Sequence, residues 1–83
     1  MGQPKRIAVY STPTCIYCDQ AKTYLGEQGF EFEDFDVSAD RSRLREMVVM
    51  TGQFGVPVVL VGEKAMVGWN VAQFKRLLGP NGA

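Results

Sequence analysis

Two cysteines three residues apart, Cys15 and Cys18, stand between a strand-like run and a helix-like period, and nothing else in the sequence restricts the fold so much. Ahead of them Arg6-Ile7-Ala8-Val9-Tyr10 is short, β-branched and aromatic, and it stops at the breaker cluster Ser11-Thr12-Pro13-Thr14, the pattern of a buried first strand. Behind them Cys18, Ala21 and Leu25 recur at three and four residue steps until Gly26 and Gly29, which predicts a helix over residues 15–28 with Thr14 as its N-cap. A C-x-x-C that follows a strand and opens a helix is the setting of redox chemistry. A loop closed between positions 15 and 18 is too small to restrain the unfolded chain much, so the pair is chemical and not structural. Three-residue spacing on a helix brings side chains within about 5–6 Å at Cβ, near disulfide geometry, so the pair can open and close with little backbone movement. The two sulfurs are not equivalent. Cys15 lies at the helix start, where unpaired N–H groups and the positive dipole end stabilise a thiolate, whereas Cys18 lies one turn deeper.

The 83 residues contain no histidine, which removes the commonest general base and the commonest metal ligand together. A buried pair of free cysteines and half of a four-ligand zinc site are the alternatives to redox work. Zinc would require carboxylates, a second subunit or an external thiol, and no metal ligands are assigned. With 46% hydrophobic and 11% aromatic residues the composition is that of a folding chain, and its length suits one core, a single domain over residues 1–83. Nine basic residues balance nine acidic ones, so no whole-molecule field draws nucleic acid or an anionic membrane. The apolar runs are too short for a membrane span, and Met1 to Tyr10 lacks the apolar stretch of a signal peptide, from which a cytoplasmic location is expected.

Further along, Phe30 to Val37 alternates in part with Glu31, Glu33, Asp34 and Asp36, which predicts a second strand at a sheet edge with its acidic side in water. Leu44, Met47, Val48 and Thr51 mark one helical face, capped by Ser38 or Asp40 and stopped by Gly52. Arg41, Arg43 and Arg45 alternate and cannot share one narrow face of that helix, so they read as solvated surface. Val58 to Val61 and Lys64 to Val67, joined at Gly62-Glu63, form a hairpin, and Asn70 caps a last helix with a Val71, Phe74, Leu77, Leu78 stripe that ends at Gly79-Pro80. The order βαβαββα predicts an α/β fold with one mixed four-stranded sheet and three helices, a crossover-linked parallel pair first and an antiparallel hairpin last. Read by itself, Pro57 is a trans proline that starts the strand Val58 to Val61, since cis forms are only about 5–6% of X-Pro bonds. Trp69 and Phe54 read either as an apolar rim for a protein substrate or as core filler.

Taken together, Tyr10 to Cys18, Thr51-Gly52-Gln53-Phe54-Gly55-Val56-Pro57 and Val67-Gly68-Trp69-Asn70 resemble a glutaredoxin, within the thioredoxin-fold superfamily. Cys15, Tyr17, Cys18, Val56, Pro57 and Gly68 match the family's C-P-Y-C, T-V-P and G-G motifs in order and spacing. The resemblance implies a thioredoxin-like fold and a thiol-disulfide oxidoreductase in which the Cys15 thiolate attacks a disulfide and Cys18 resolves the mixed disulfide. It also implies a cis Pro57 facing the cysteines, with glutathione or a peptide held around Thr14, Tyr17, Gln53, Val56, Pro57, Gly68, Trp69 and Asn70.

The chain departs from that family where glutathione is held. The usual lysine before the cysteines is Thr12, the residue before Gly55-Val56-Pro57 is Phe54, and no Asp or Glu lies between Gly68 and Phe74. Gln53, Asn70 and backbone N–H groups are the remaining polar anchors. Each lost charge-assisted hydrogen bond is worth about 1.5–3 kcal/mol when desolvated, so glutathione affinity is expected to be weak. In this the chain resembles the glutaredoxin-like redoxins of ribonucleotide reductase, which take electrons from thioredoxin reductase. The expected protein is thus a monomer with no bound cofactor that reduces protein disulfides, with glutathione as co-substrate or thioredoxin reductase as donor. The alternative is a dimer that carries an iron-sulfur cluster through Cys15 of each chain and two glutathione thiols.

Overall fold

The computed structural model of the chain describes residues 5–79. It contains β1 (Ile7–Ser11), α1 (Ile16–Glu27), β2 (Glu33–Asp36), α2 (Arg41–Thr51), β3 (Val58–Val61), β4 (Lys64–Val67) and α3 (Val71–Leu78), the βαβαββα order expected from the sequence. The sheet runs β2-β1-β3-β4. β1 pairs parallel with β2, Ala8 beside Glu33, and antiparallel with β3, Tyr10 beside Val58, while β3 pairs antiparallel with β4, Val58 beside Val67. β1 is therefore central, and all five of its residues are buried, as a strand covered on both faces requires.

Alternate residues of β1 and β3 feed two cores. Ile7, Val9, Val59 and Val61 pack with Ala21 and Leu25 of α1 and with Phe74 and Leu78 of α3, while Ala8, Tyr10 and Val58 pack with Met47 of α2. Hence α1 and α3 cover one face of the sheet and α2 the other, a three-layer arrangement.

Two boundaries differ from those expected. β2 is confined to residues 33–36, because that is all of it that registers against Ala8 to Ser11. Phe30 and Phe32 instead leave the strand and pack against the α1/α3 core, and the Phe30 N–H closes the end of α1 on Leu25 O at 2.9 Å. The N-cap of α1 is Cys15 itself and not Thr14, which is exposed in the preceding turn. The other caps fall where expected: Asp40 accepts from Arg43 N–H at 3.1 Å, Gly52 closes α2 in the left-handed region at φ 72°, and Asn70 accepts from Gln73 N–H at 3.0 Å. Gly79 follows α3, and Pro80 lies outside the described residues.

Candidate active site

The register brings three segments to one end of the sheet. Tyr10 pairs with Val58 and Val58 with Val67, so the turn after β1, the loop before β3 and the segment after β4 leave side by side. In the first segment Cys15 caps α1 with extended backbone, φ −98° and ψ 112°, and its Sγ accepts the Cys18 N–H at 3.1 Å. One of the orphan donors at the helix start is thus satisfied by sulfur. Cys15 is partly exposed, whereas Cys18 is wholly buried, and the two thiols are free. Burial first, and then the hydrogen bond with Cys15, pushes the Cys18 thiol up to about 12, so it stays protonated at neutral pH. Ile16 and Tyr17 between the cysteines project outward, 71% and 62% exposed, and leave apolar surface beside Cys15.

Beyond Cys18 on α1, Lys22 reaches across to β2, where its Nζ lies 3.0 Å from Asp34 Oδ2. The Asp34 hydrogen bond, its largest cause, holds the Lys22 pKa above its usual value despite partial burial. The other Asp34 oxygen accepts from Ser11 Oγ at 2.7 Å, so one carboxylate ties β2, the end of β1 and α1 together beneath the cysteine turn.

In the second segment the Val56–Pro57 peptide bond is cis, as the family resemblance implied, and Pro57 is buried. Its carbonyl accepts the Gly68 N–H at 2.7 Å, which fastens this loop to the third segment. Gln53 is spent inside the loop: its Oε1 accepts from Gly55 N–H at 2.6 Å, and its Nε2 donates to Gly55 O at 3.1 Å and Thr51 Oγ1 at 3.2 Å. A Cβ at Gly55 would stand 2.6 Å from the same Gln53 oxygen, so the amide would have to move aside and give up this hydrogen bond.

In the third segment Asn70 gives its side-chain oxygen to the α3 cap. Trp69 and Phe54 do not form one rim. Trp69 lies against Tyr24 and Phe74, with ring centroids 5.4 and 5.5 Å apart, whereas Phe54 is 72% exposed on the α2 side of the sheet. The structure therefore gathers Thr14, Cys15, Tyr17, Cys18, Pro57 and Gly68 at one end of the sheet and turns the polar atoms of Gln53 and the Asn70 oxygen to structural use. Sequence reasoning missed the Lys22–Asp34 bridge. Its signal was the four-residue step from Cys18 to Lys22, legible only once β2 is known to lie alongside.

The glutaredoxin family model matches residues 7–66, from β1 through both cysteines and the cis proline into β4. The chain belongs to the glutaredoxin family. It is similar to an uncharacterized glutaredoxin-like 8.6 kDa protein in the rubredoxin operon of Clostridium pasteurianum, 38% identical over 72 residues that cover 87% of this chain and 96% of the relative. It is also similar to the N-acetyl-S-hydroxy-L-cysteine reductase of Bacillus subtilis, 41% identical over 63 residues that cover 75% of this chain and 67% of the relative. Among solved structures, the Archaeoglobus fulgidus glutaredoxin superposes with a TM-score of 0.81 at 23% identity, over 93% of this chain and 89% of that one. The glutaredoxin-like NrdH-redoxin of Escherichia coli, whose activity profile is described as thioredoxin-like, gives a TM-score of 0.76 at 28% identity, over 90% and 96%. The glutaredoxin fold and this kinship make the chain a thiol-disulfide oxidoreductase. No helix among the described residues is long and apolar enough to cross a membrane.

Proposed function

We propose that Cys15 is the nucleophile and Cys18 the resolving thiol of a protein-disulfide reductase that takes its electrons directly from a thioredoxin-reductase-type enzyme and not from glutathione. The observation that carries the reading is the asymmetry of the pair: a partly exposed sulfur that receives an N–H at a helix start, and a buried thiol one turn on. The Cys15 sulfur attacks one sulfur of the substrate disulfide, whose S–S bond breaks as the first product leaves as a thiolate and takes a proton. Before the attack the Cys18 N–H and the positive end of the helix dipole face the Cys15 sulfur, whose charge passes to the leaving product as the mixed disulfide forms. Cys18, sheltered from solvent and protonated, does not compete for the substrate. It then gives its proton to the second leaving thiolate and attacks Cys15, which forms the Cys15–Cys18 disulfide and releases the second product reduced. Two electrons have passed to the substrate, and the reductase returns them.

The choice of donor rests on the polar groups around the site. Thr12 stands where the glutaredoxins carry a lysine, both ends of the Gln53 amide are engaged in its own loop, and the Asn70 oxygen is engaged in a cap. Few side-chain groups remain to hold the carboxylates of glutathione, and the likeness to an NrdH-redoxin points the same way. The same shortage counts against a cluster-bridged dimer, which needs two glutathione molecules held beside two Cys15 thiolates.

Kinship with the N-acetyl-S-hydroxy-L-cysteine reductase supports a second substrate class, small S-hydroxy thiols. Attack of Cys15 on the sulfenyl sulfur would expel hydroxide, and Cys18 would release the thiol by the same second step.

The test is NADPH oxidation with a protein disulfide in two coupled systems, thioredoxin reductase alone and glutathione with its reductase. Turnover is expected with the first. Cys15→Ser abolishes it, a loss of at least about a thousandfold, and Cys18→Ser accumulates a mixed disulfide at Cys15, visible by mass. Turnover that survives Cys15→Ser overturns the assignment of the nucleophile, and turnover with glutathione alone overturns the assignment of the donor.

A further inference from the structure

We propose that the groove on the outer side of α2, lined by Leu44, Val48, Val49 and Phe54 and flanked by Arg41 and Arg45, docks an acidic segment with an apolar anchor on the protein whose disulfide Cys15 reduces. The proposal rests on the reading of Cys15 as the nucleophile and names the kind of substrate it serves.

Scattered apolar residues on a surface mean little, but here they are contiguous. Val49 is 80% and Phe54 72% exposed, and they share a groove of about 480 Å³. Among the described residues, the groove's only charged ones are two arginines, and no carboxylate lines it. Among the described residues neither Arg41 nor Arg45 has an ion-pair partner, in contrast to Arg43, which turns inward to Glu46 at 3.0 Å and stacks over Phe35 at 4.0 Å.

Helix stability does not explain the two cations. Arg41 is the first residue of α2, where a cation opposes the helix dipole, and the Asp40 carboxylate beside it is already engaged in capping the Arg43 N–H. As an i,i+4 pair of like charges they also repel, at about 0.2–0.5 kcal/mol. A partner's carboxylates relieve both costs, and its apolar side chain covers Val49 and Phe54.

Continuity with the site identifies the partner as the substrate. Phe54 is three residues before Pro57, at most about 11 Å along the chain, and Pro57 precedes the strand paired with the end of β1 that leads to Cys15. A segment that delivers a disulfide to Cys15 extends naturally into the groove.

Single-turnover reduction by the full-length reduced protein tests this with three probes: a disulfide-linked peptide flanked by Glu and Leu, the same peptide with Lys for Glu, and 2-hydroxyethyl disulfide. The wild type is expected to reduce the acidic peptide at least about tenfold faster than the basic one at low salt, with the preference fading as ionic strength rises. In Arg41→Gln/Arg45→Gln the preference is lost, and in Phe54→Ser the acidic peptide slows about fivefold, while both variants reduce 2-hydroxyethyl disulfide at the wild-type rate and keep its melting temperature. Equal rates for the two peptides in the wild type, or a preference that survives the arginine variant, overturn the docking site and leave the Cys15 chemistry standing. Failure of the wild type to reduce even 2-hydroxyethyl disulfide overturns that chemistry and the docking proposal with it. If the arginine variant keeps its peptide preference but is re-reduced slowly by thioredoxin reductase, the groove belongs to the reductase and the proposal is wrong.

Discussion

The two faces of the sheet are built from the same two strands, yet they are closed in different ways. On the α1/α3 face Phe74 meets Tyr24, Phe30 and Trp69 with ring centroids 5.9, 5.5 and 5.5 Å away, and nine buried residues make one apolar cluster. On the α2 face four buried residues surround Tyr10, whose hydroxyl donates to Glu46 at 2.6 Å, and Glu46 in turn holds Arg43. The first face is dry and carries the helix that presents the cysteines. The second is smaller, half polar, and leaves Val49 and Met50 of its helix outward. In a chain of 83 residues the larger apolar cluster thus supports the helix that carries the reacting sulfurs, while the smaller one leaves apolar residues of its own helix on the surface.

If that difference is real in energy, Phe74→Ala costs more than Met47→Ala. The first removes the ring shared by three others, at about 4–5 kcal/mol, and the second removes a flexible thioether from a looser cluster, at about 2–3 kcal/mol. Urea unfolding with unchanged m-values measures both. Equal costs break the comparison, since they would mean that the α2 face is packed as tightly as the other.

A smaller effect sharpens it through pH. Burial, and next the hydrogen bond to Glu46, pushes the Tyr10 hydroxyl up to about 12 from an ordinary value near 10. A folded value above the unfolded one means that the stability is fully present below pH 10 and is lost as the pH climbs toward 12. The unfolded chain ionises over that window and the folded one does not, at a cost of up to about 3 kcal/mol. Tyr10→Phe should flatten this alkaline decline relative to wild type and lower stability near neutrality by about 1 kcal/mol, through the hydrogen bond. Thermal unfolding between pH 7 and 11.5 reads both, and parallel curves would remove the Tyr10–Glu46 pair from the account of this face. Glu46 shifts the other way: the Tyr10 hydroxyl first, and then Arg43, hold its carboxyl below the usual range, so its share of stability is lost on acidification.

What could be read in advance follows the same division. Local signals sufficed where the determinant is local: the periodicities of α2 and α3, the caps Asp40 and Asn70, the stop at Gly52, and the Val58 to Val67 hairpin all stand as the residues imply. They failed where tertiary contacts decide. Phe30 and Phe32 carry a strand-like alternation, but the α1/α3 core claims them before they can pair with β1. Cysteine is not among the preferred capping residues, so Thr14 outranked Cys15 on propensity although the sulfur does the capping. The cis bond at Val56–Pro57 followed from family likeness and not from local preference, which favours trans. The separation of Trp69 from Phe54 depends on which face of the sheet each loop leaves toward, and no short-range pattern encodes that.

Asn70 provides the smallest effect and separates fold from binding at the active-site end. Its oxygen caps α3, the helix that closes the dry face, at 3.0 Å from Gln73 N–H. Asn70→Ala should therefore cost about 1 kcal/mol, and Asn70→Ser, which also caps, only a few tenths. If Asn70 serves only the fold, Asn70→Ser leaves the Michaelis constants for protein disulfide and for reductase unchanged, and Asn70→Ala moves stability alone. If the serine variant keeps its melting temperature but weakens reduction by glutathione, then the amide nitrogen, which the cap does not use, touches that substrate. The third segment of the site would then read ligands as well as hold α3 in place, and the contrast between a closed structural face and an open binding face would no longer extend to its edge.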